Sequence, residues 1–395
     1  MFFRRPTGLQ TVVSDAGVPI ARLNSLEGFS RSLLVGVLPL IALEALGSKQ
    51  AVSSVYLLAA LLSLLVTINF GTLERLFSRR WVVTLGGGLA ILSPLILFFS
   101  SSYFFALGIA LQMISASLFT VCISLYIMDF IGKKGLTRCE SRRMLFNGCA
   151  WLIGPTLGVW LWHNTLAWTP FLLVALASAS MLTYFWYLRL GDNEIVRPAR
   201  QPSTSLIKII PRYFAQPALR IAYLITLSRS VFWAAMFIYG PIYVVEAGMP
   251  VWMAGGLLSF VSGLLLLSPM VQKLADRFYT RTIIVYSLVF SSLSISGLFF
   301  LGEPQPVGLL FWVVASIGCM ALDVLGNIPF MRMVKPRERT EMTMIFSTWR
   351  ETSQLLTPLL GFLVLLLAPF QYFYLLVGGL LLVTAIVSTF LPRRL

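Results

Sequence analysis

Long apolar runs separated by short polar gaps dominate this chain. About 20 apolar residues span a bilayer as a helix. Splitting the sequence at its charged or turn-rich gaps gives about twelve such segments, near 21–46, 51–71, 81–101, 103–131, 141–162, 166–189, 217–246, 250–271, 282–302, 306–331, 341–368 and 370–391. The pattern predicts an all-α membrane protein. The longest polar stretch, Gly191 to Arg212, carries Pro198, Pro202 and Pro211 among basic residues. It divides the chain into an expected six-helix bundle over 1–190 with a short cytoplasmic arm, a cytoplasmic linker over 191–216, and a second six-helix bundle over 217–395. Within the linker, Leu206–Ile210 is apolar enough to lie flat on the membrane.

The two halves align on each other. Arg31 pairs with Arg229, Glu44-Ala45 with Glu246-Ala247, and Gly71 to Val83 with Gln272 to Ile284. Lys134-x-x-x-Arg138-x-Glu140 repeats as Lys335-x-x-x-Arg339-x-Glu341, and Gly154-Pro155-Thr156-Leu157-Gly158 answers Thr357-Pro358-Leu359-Leu360-Gly361. The offsets all fall between 198 and 203. Five matches in order at a nearly constant offset indicate an internal repeat.

Composition agrees with the pattern. The hydrophobic class makes up 58% of the 395 residues and charged residues only 11%, against about a quarter charged in soluble domains. The net charge of +15 is not a nucleic-acid footprint. Of 30 Lys and Arg, all but Arg31, Lys49, Arg229 and Arg350 fall in the amino-terminal arm, at the carboxyl end, or in alternate gaps and the segment ends that border them. That is the positive-inside arrangement, with both termini on the cytoplasmic side of a plasma membrane of the bacterial inner-membrane type. Attraction to anionic membrane lipid follows. Cys122, Cys139, Cys149 and Cys319 show no metal-ligand spacing and His163 is the only histidine. The residues thus offer no metal site, and no cofactor is expected.

The gap after the eighth segment reads Leu274-Ala275-Asp276-Arg277-Phe278-Tyr279-Thr280-Arg281. Here the chain resembles the major facilitator superfamily, whose loop between the second and third helices of each half follows G-x-L-A-D-R-x-G-R-K. The first-half copy keeps Gly71, Leu73, Arg79 and Arg80, and places Glu74 one position before the family's acid. The resemblance implies an inner gate in which acids beside arginines pair across the two bundles. Glu74, Arg79, Arg80, Asp276, Arg277 and Arg281 are its candidates; ordinary cytoplasmic loop charge is the plain alternative. Asp129 joins them, and the Arg350-Glu351 pair, expected about ten residues into the eleventh helix, serves either the gate or the cavity. Ala150-x-x-x-Gly154-Pro155-x-x-Gly158 is similar to a signature of proton-driven exporters. Small residues at four-residue spacing let helices approach closely, and Pro155 and Pro358 remove a backbone donor. Gly154, Pro155, Gly158, Pro358 and Gly361 are therefore expected at kinked helix interfaces, either as an antiporter's seam or as structural kinks.

Arg31 and Arg229 lie within apolar runs near mid-bilayer, where a charged side chain is costly and faces a cavity or a partner. Glu27 precedes Arg31 by four residues, on the same helix face. Arg229 has no acidic neighbour on its own helix. In the superfamily the first and seventh helices line the central cavity, which implies that Arg31 and Arg229 bind an anionic group, with Asn327, Trp233 and Tyr239 as further substrate contacts. Glu27 and Asp323 are the candidate proton carriers, with pairing to arginine as the alternative for Asp323. The expectation is a monomeric secondary transporter of a small organic solute bearing an anionic group, proton-coupled and exporting. An importer or facilitator of a neutral or cationic solute, or a non-transporting sensor or scaffold, stands as the alternative. No enzymatic activity is expected.

Overall fold

The computed structural model describes residues 18–99, 102–130, 136–188, 206–335 and 338–392. Eleven of its helices are long and apolar enough to cross a membrane: Val18–Leu46, Lys49–Ile68, Ser78–Phe98, Phe104–Ile127, Arg143–Asn164, Thr169–Leu188, Pro217–Glu246, Thr280–Leu301, Gly308–Met333, Trp349–Leu367 and Gln371–Ser388. A shorter apolar helix, Trp252–Leu267, occupies the eighth position and continues as Ser268–Arg277. The chain is a multi-pass membrane protein of about twelve helices, counted below as spans one to twelve.

Two compact units divide it. The first comprises Met1–Leu46 with Leu58–Gln201, and the second Gly47–Leu57 with Pro202–Leu395. The second span is therefore shared, its first part counted with the second unit. The same neighbour relations recur in both. The first span packs on the fifth and sixth as the seventh packs on the eleventh and twelfth, and the third on the fourth and sixth as the ninth on the tenth and twelfth. The internal repeat of the sequence is thus a repeat of packing.

Two spans differ from the apolar pattern. The segment expected at 341–368 breaks at Ser347–Thr348 into Arg339–Phe346 and Trp349–Leu367. The Thr348 hydroxyl donates to the Ile345 carbonyl at 2.7 Å, a local bond that competes with the helical ladder. Arg350 and Glu351 consequently lie in the first turn of the eleventh span instead of ten residues into it. The tenth span is interrupted at Gly326–Asn327, after Gly308–Leu325 and before Ile328–Met333. The helix Leu206–Phe214 does more than rest on a membrane surface: Ile209 and Tyr213 are buried against Leu219, Phe330 and Phe346, and the Tyr213 hydroxyl donates to Leu219 O at 3.0 Å.

Candidate functional site

Small residues bring the first span onto the fifth. A Cβ at Gly28 would collide with Asn147, one at Gly154 with the Ser32 side chain, and one at Gly158 with the Leu33 carbonyl. Ser32 fastens the contact by donating to Ala150 O at 3.1 Å. The glycines of the fifth-span motif thus seat the first span inside the first unit. This close approach places the Trp151 indole under the Arg31 guanidinium, 5.3 Å from its ring centre. Glu27, one helical turn before Arg31, lies 3.5 Å from its Nε through Oε1, near enough for an ion pair but not placed for a hydrogen bond. Glu27 and Arg31 line a small cavity with Ser30, Gln112, Ser115 and Ser178.

The second unit holds a matching cluster. Arg229 of the seventh span is almost wholly buried and meets Asp323 of the tenth at 3.2 Å. Its Nη1 donates to Leu322 O at 3.3 Å, and the Trp349 ring centre lies 4.9 Å from its guanidinium carbon. The other carboxylate oxygen of Asp323 accepts from Trp233 Nε1 at 3.0 Å. Here Thr357 stands where the first unit has a glycine, and it donates to Val231 O at 3.3 Å. Asn327 sits at the break in the tenth span, its Oδ1 buried without a hydrogen bond from the described residues.

The two clusters are one design used twice. Arg31 and Arg229 are 198 positions apart, and so are Trp151 and Trp349. An arginine on the first span of each unit stacks on an indole from the fifth, an arrangement worth about 0.5–2 kcal/mol depending on desolvation. Motif reasoning missed both tryptophans, although the repeat offset itself pointed to them. The acids differ in origin: Glu27 is local to its arginine, and Asp323 comes from another helix.

The remaining sequence candidates are placed elsewhere. Glu74 pairs with Arg79 at 2.8 Å within its own loop, and Arg79, nearly buried, stacks on Tyr126 at 5.3 Å. Arg80 is half-buried nearby and Arg281 half-buried in the second-half loop, where Arg277 is exposed and lies over the Phe278 ring. The side chains of Asp129 and Asp276 lie outside the described residues. Tyr239 does not face a cavity. It is 1% exposed, its hydroxyl is bonded to Ser53 at 2.7 Å, and its ring packs on Phe370 and Phe373. Gly361, one turn beyond Pro358, leaves the room that Tyr239 and Ser53 fill. Beside them Lys49 pairs with Glu246 at 2.6 Å and lies over Phe370.

The sequence matches the family profile described as Major Facilitator Superfamily over residues 23–302 and 259–395. No curated protein matches the chain. Similar solved structures include the peptide transporter POT in complex with sulfate, 14% identical over 98% of this chain and 95% of that one, with a TM-score of 0.74. A POT family transporter in complex with 5-aminolevulinic acid is 14% identical over 100% and 98%, with a TM-score of 0.76. The nucleoside transporter NupG is 14% identical over 95% and 98%, with a TM-score of 0.71. At these identities the likeness is one of fold.

Proposed function

The chain belongs to the Major Facilitator Superfamily of secondary transporters, and from that premise we propose that its solute is a small organic molecule bearing an anionic group, moved by alternating access and linked to protons. The observation that carries this reading is the duplicated cluster of arginine, acid and indole at Arg31 and Arg229. Guanidinium stays charged at any physiological pH and offers a planar fork of donors that fits a carboxylate or phosphate. The indole beneath it holds the cation in place while the acid partner is exchanged for a solute. Trp233 bonds the acid partner of the second arginine and Asn327 follows that acid by four residues, at the break in the tenth span; Tyr239, committed to Ser53, is left out of the solute site.

Glu27 and Asp323 are the acids that link transport to protons. Glu74, Arg79, Arg80, Asp129, Asp276, Arg277, Arg281, Arg350 and Glu351 serve the cytoplasmic gate, on the strength of their loop and helix-start positions. The basic gaps support cytoplasmic termini and linker, in a plasma membrane of the bacterial inner-membrane type, and the transporter acts as a monomer among anionic lipids. The fifth-span motif supports export by its resemblance, but close seating of the first span accounts for its glycines equally well.

The test is a thermal-shift screen of the purified chain against anionic, neutral and cationic metabolites, followed by flux in proteoliposomes. An anionic solute is expected. Arg31→Lys and Arg229→Lys should each weaken it tens-fold, since a charge-assisted bond in a partly dry site is worth about 2 kcal/mol. A neutral or cationic solute, or full affinity in both lysine variants, would sink the reading.

A further inference from the structure

We infer that the solute carries a hydrogen-bond donor, an O–H or N–H group within a few bonds of its anionic end, and that Gln112 selects for it. This rests on the anion reading above and narrows the substrate class. Gln112 belongs to the fourth span and is 8% exposed. It lines the cavity that Glu27 and Arg31 share, and its Oε1 is buried without a hydrogen bond from any described residue. An amide oxygen accepts and cannot donate. Burial without a partner leaves its lost hydration uncompensated. What it lacks is a donor.

The cavity wall does not supply one. Ala90, Ala116 and Met181 carry no side-chain donor. Ser115 donates to Gly86 O at 2.7 Å. Ser30 and Ser178 share a hydrogen bond at 2.7 Å and Ser30 reaches Val174 O at 3.5 Å, so these two hydroxyls are satisfied between the first and sixth spans. Arg31 lies beside Glu27 and over the Trp151 ring, and the ionised Glu27 carboxylate is itself an acceptor. The cavity has room for about one water-sized group. A single O–H or N–H substituent of a solute held at Arg31 fits there and meets the amide oxygen.

The internal repeat gives a second, independent observation. At its offsets of 198 to 203, the counterparts of Gln112 fall within 310–315, which read Leu-Phe-Trp-Val-Val-Ala. The second unit repeats the same helix neighbours with no amide at that place, so packing of the repeated architecture does not account for Gln112. Arg31 and Gln112 read opposite chemistry from one solute: the guanidinium takes the anion, the amide oxygen takes the donor. A site built to bond an O–H or N–H rejects the analogue that lacks it, because the buried acceptor is then left unpaired. Hydroxy- or amino-substituted anions are therefore the preferred solutes, and plain aliphatic anions the poor ones.

The experiment titrates the purified full chain by calorimetry with ethanesulfonate, 2-hydroxyethanesulfonate and 2-aminoethanesulfonate. All keep the same anion at every working pH and differ only in a terminal methyl, hydroxyl or ammonium. At least one donor-bearing sulfonate should bind about 2–10-fold tighter than ethanesulfonate, the worth of one hydrogen bond. Which of them gains identifies the donor as O–H or N–H. Gln112→Leu should cut that preference by a similar factor and leave the affinity for ethanesulfonate as in the parent. Equal binding of all the sulfonates by the parent overturns the inference and leaves the anion reading standing, since water then serves the amide as well as a solute does. A preference undiminished in Gln112→Leu overturns it too, as does a loss shared equally by all the sulfonates, which would mark Gln112 as structural. Binding of none of them removes both readings. Should Gln112→Leu fail to fold, the parent's own ranking and Gln112→Met, a replacement of similar length, decide the matter.

Discussion

Adding one methyl group at Gly158 tests the helix contact on which the Arg31 cluster depends. A Cβ there would lie 2.8 Å from the Leu33 carbonyl carbon and 3.1 Å from its Cα, with the carbonyl oxygen nearer still. All three are backbone atoms, so no side chain can swing aside and the first and fifth spans must separate. Ordinary contact begins near 3.4 Å, which puts the shift on the order of 1 Å along that seam, and overpacking of this kind costs about 1–3 kcal/mol. Against it stands the gain of about 0.5–1 kcal/mol from replacing glycine by alanine inside a helix. At the middle of these ranges the net loss is about 1 kcal/mol, or roughly 2–4 °C in melting temperature for a unit of this size. Gly148, in the same helix, has nothing within 4 Å of its Cβ position, so Gly148→Ala should melt no lower than the parent. The assay is thermal unfolding of detergent-purified protein followed by intrinsic tryptophan fluorescence. Equal melting of Gly158→Ala and Gly148→Ala would refute the claim that backbone contact fixes the seam. Because the same seam sets Trp151 beneath Arg31, Gly158→Ala should also weaken solute binding.

Two further outcomes follow from the second unit. Asp323→Ala should leave Arg229 buried without its acid, a loss of about 3–5 kcal/mol, seen as a fall in monodisperse yield on size exclusion; a yield equal to that of Glu27→Ala would contradict the different holding of the two acids. Lys49→Glu should lower the melting temperature and the double exchange with Glu246→Lys should restore it, the pair being worth on the order of 1 kcal/mol at its partial exposure; no recovery in the double variant would show that the 2.6 Å contact contributes nothing.

Much of this protein is local and therefore legible in the chain. Apolar runs of bilayer length must become helices, because lipid satisfies no backbone group, and the alternate basic gaps fix which loops are expected inside. The offset of 198 joins Arg31 to Arg229 before any coordinate is known, and the i, i+4 spacing of Glu27 and Arg31 needs only a helix to become an ion pair. Other features depend on which helices meet. The partner of Arg229 comes from 94 positions away, 323 − 229, and nothing on the seventh span indicates it. Tyr239 looks like a cavity residue on its own helix and becomes a buried tie to Ser53 only because the first part of the second span joins the second unit. The orphaned Gln112 oxygen is likewise invisible in sequence, since an amide is unsatisfied only with respect to neighbours the fold assigns. Sequence determined the helices, their repeat and the charges placed in lipid; helix packing decided which helix supplies each arginine's acid and which side chains surround the pair, because contact and hydrogen-bond satisfaction are properties of neighbours in space.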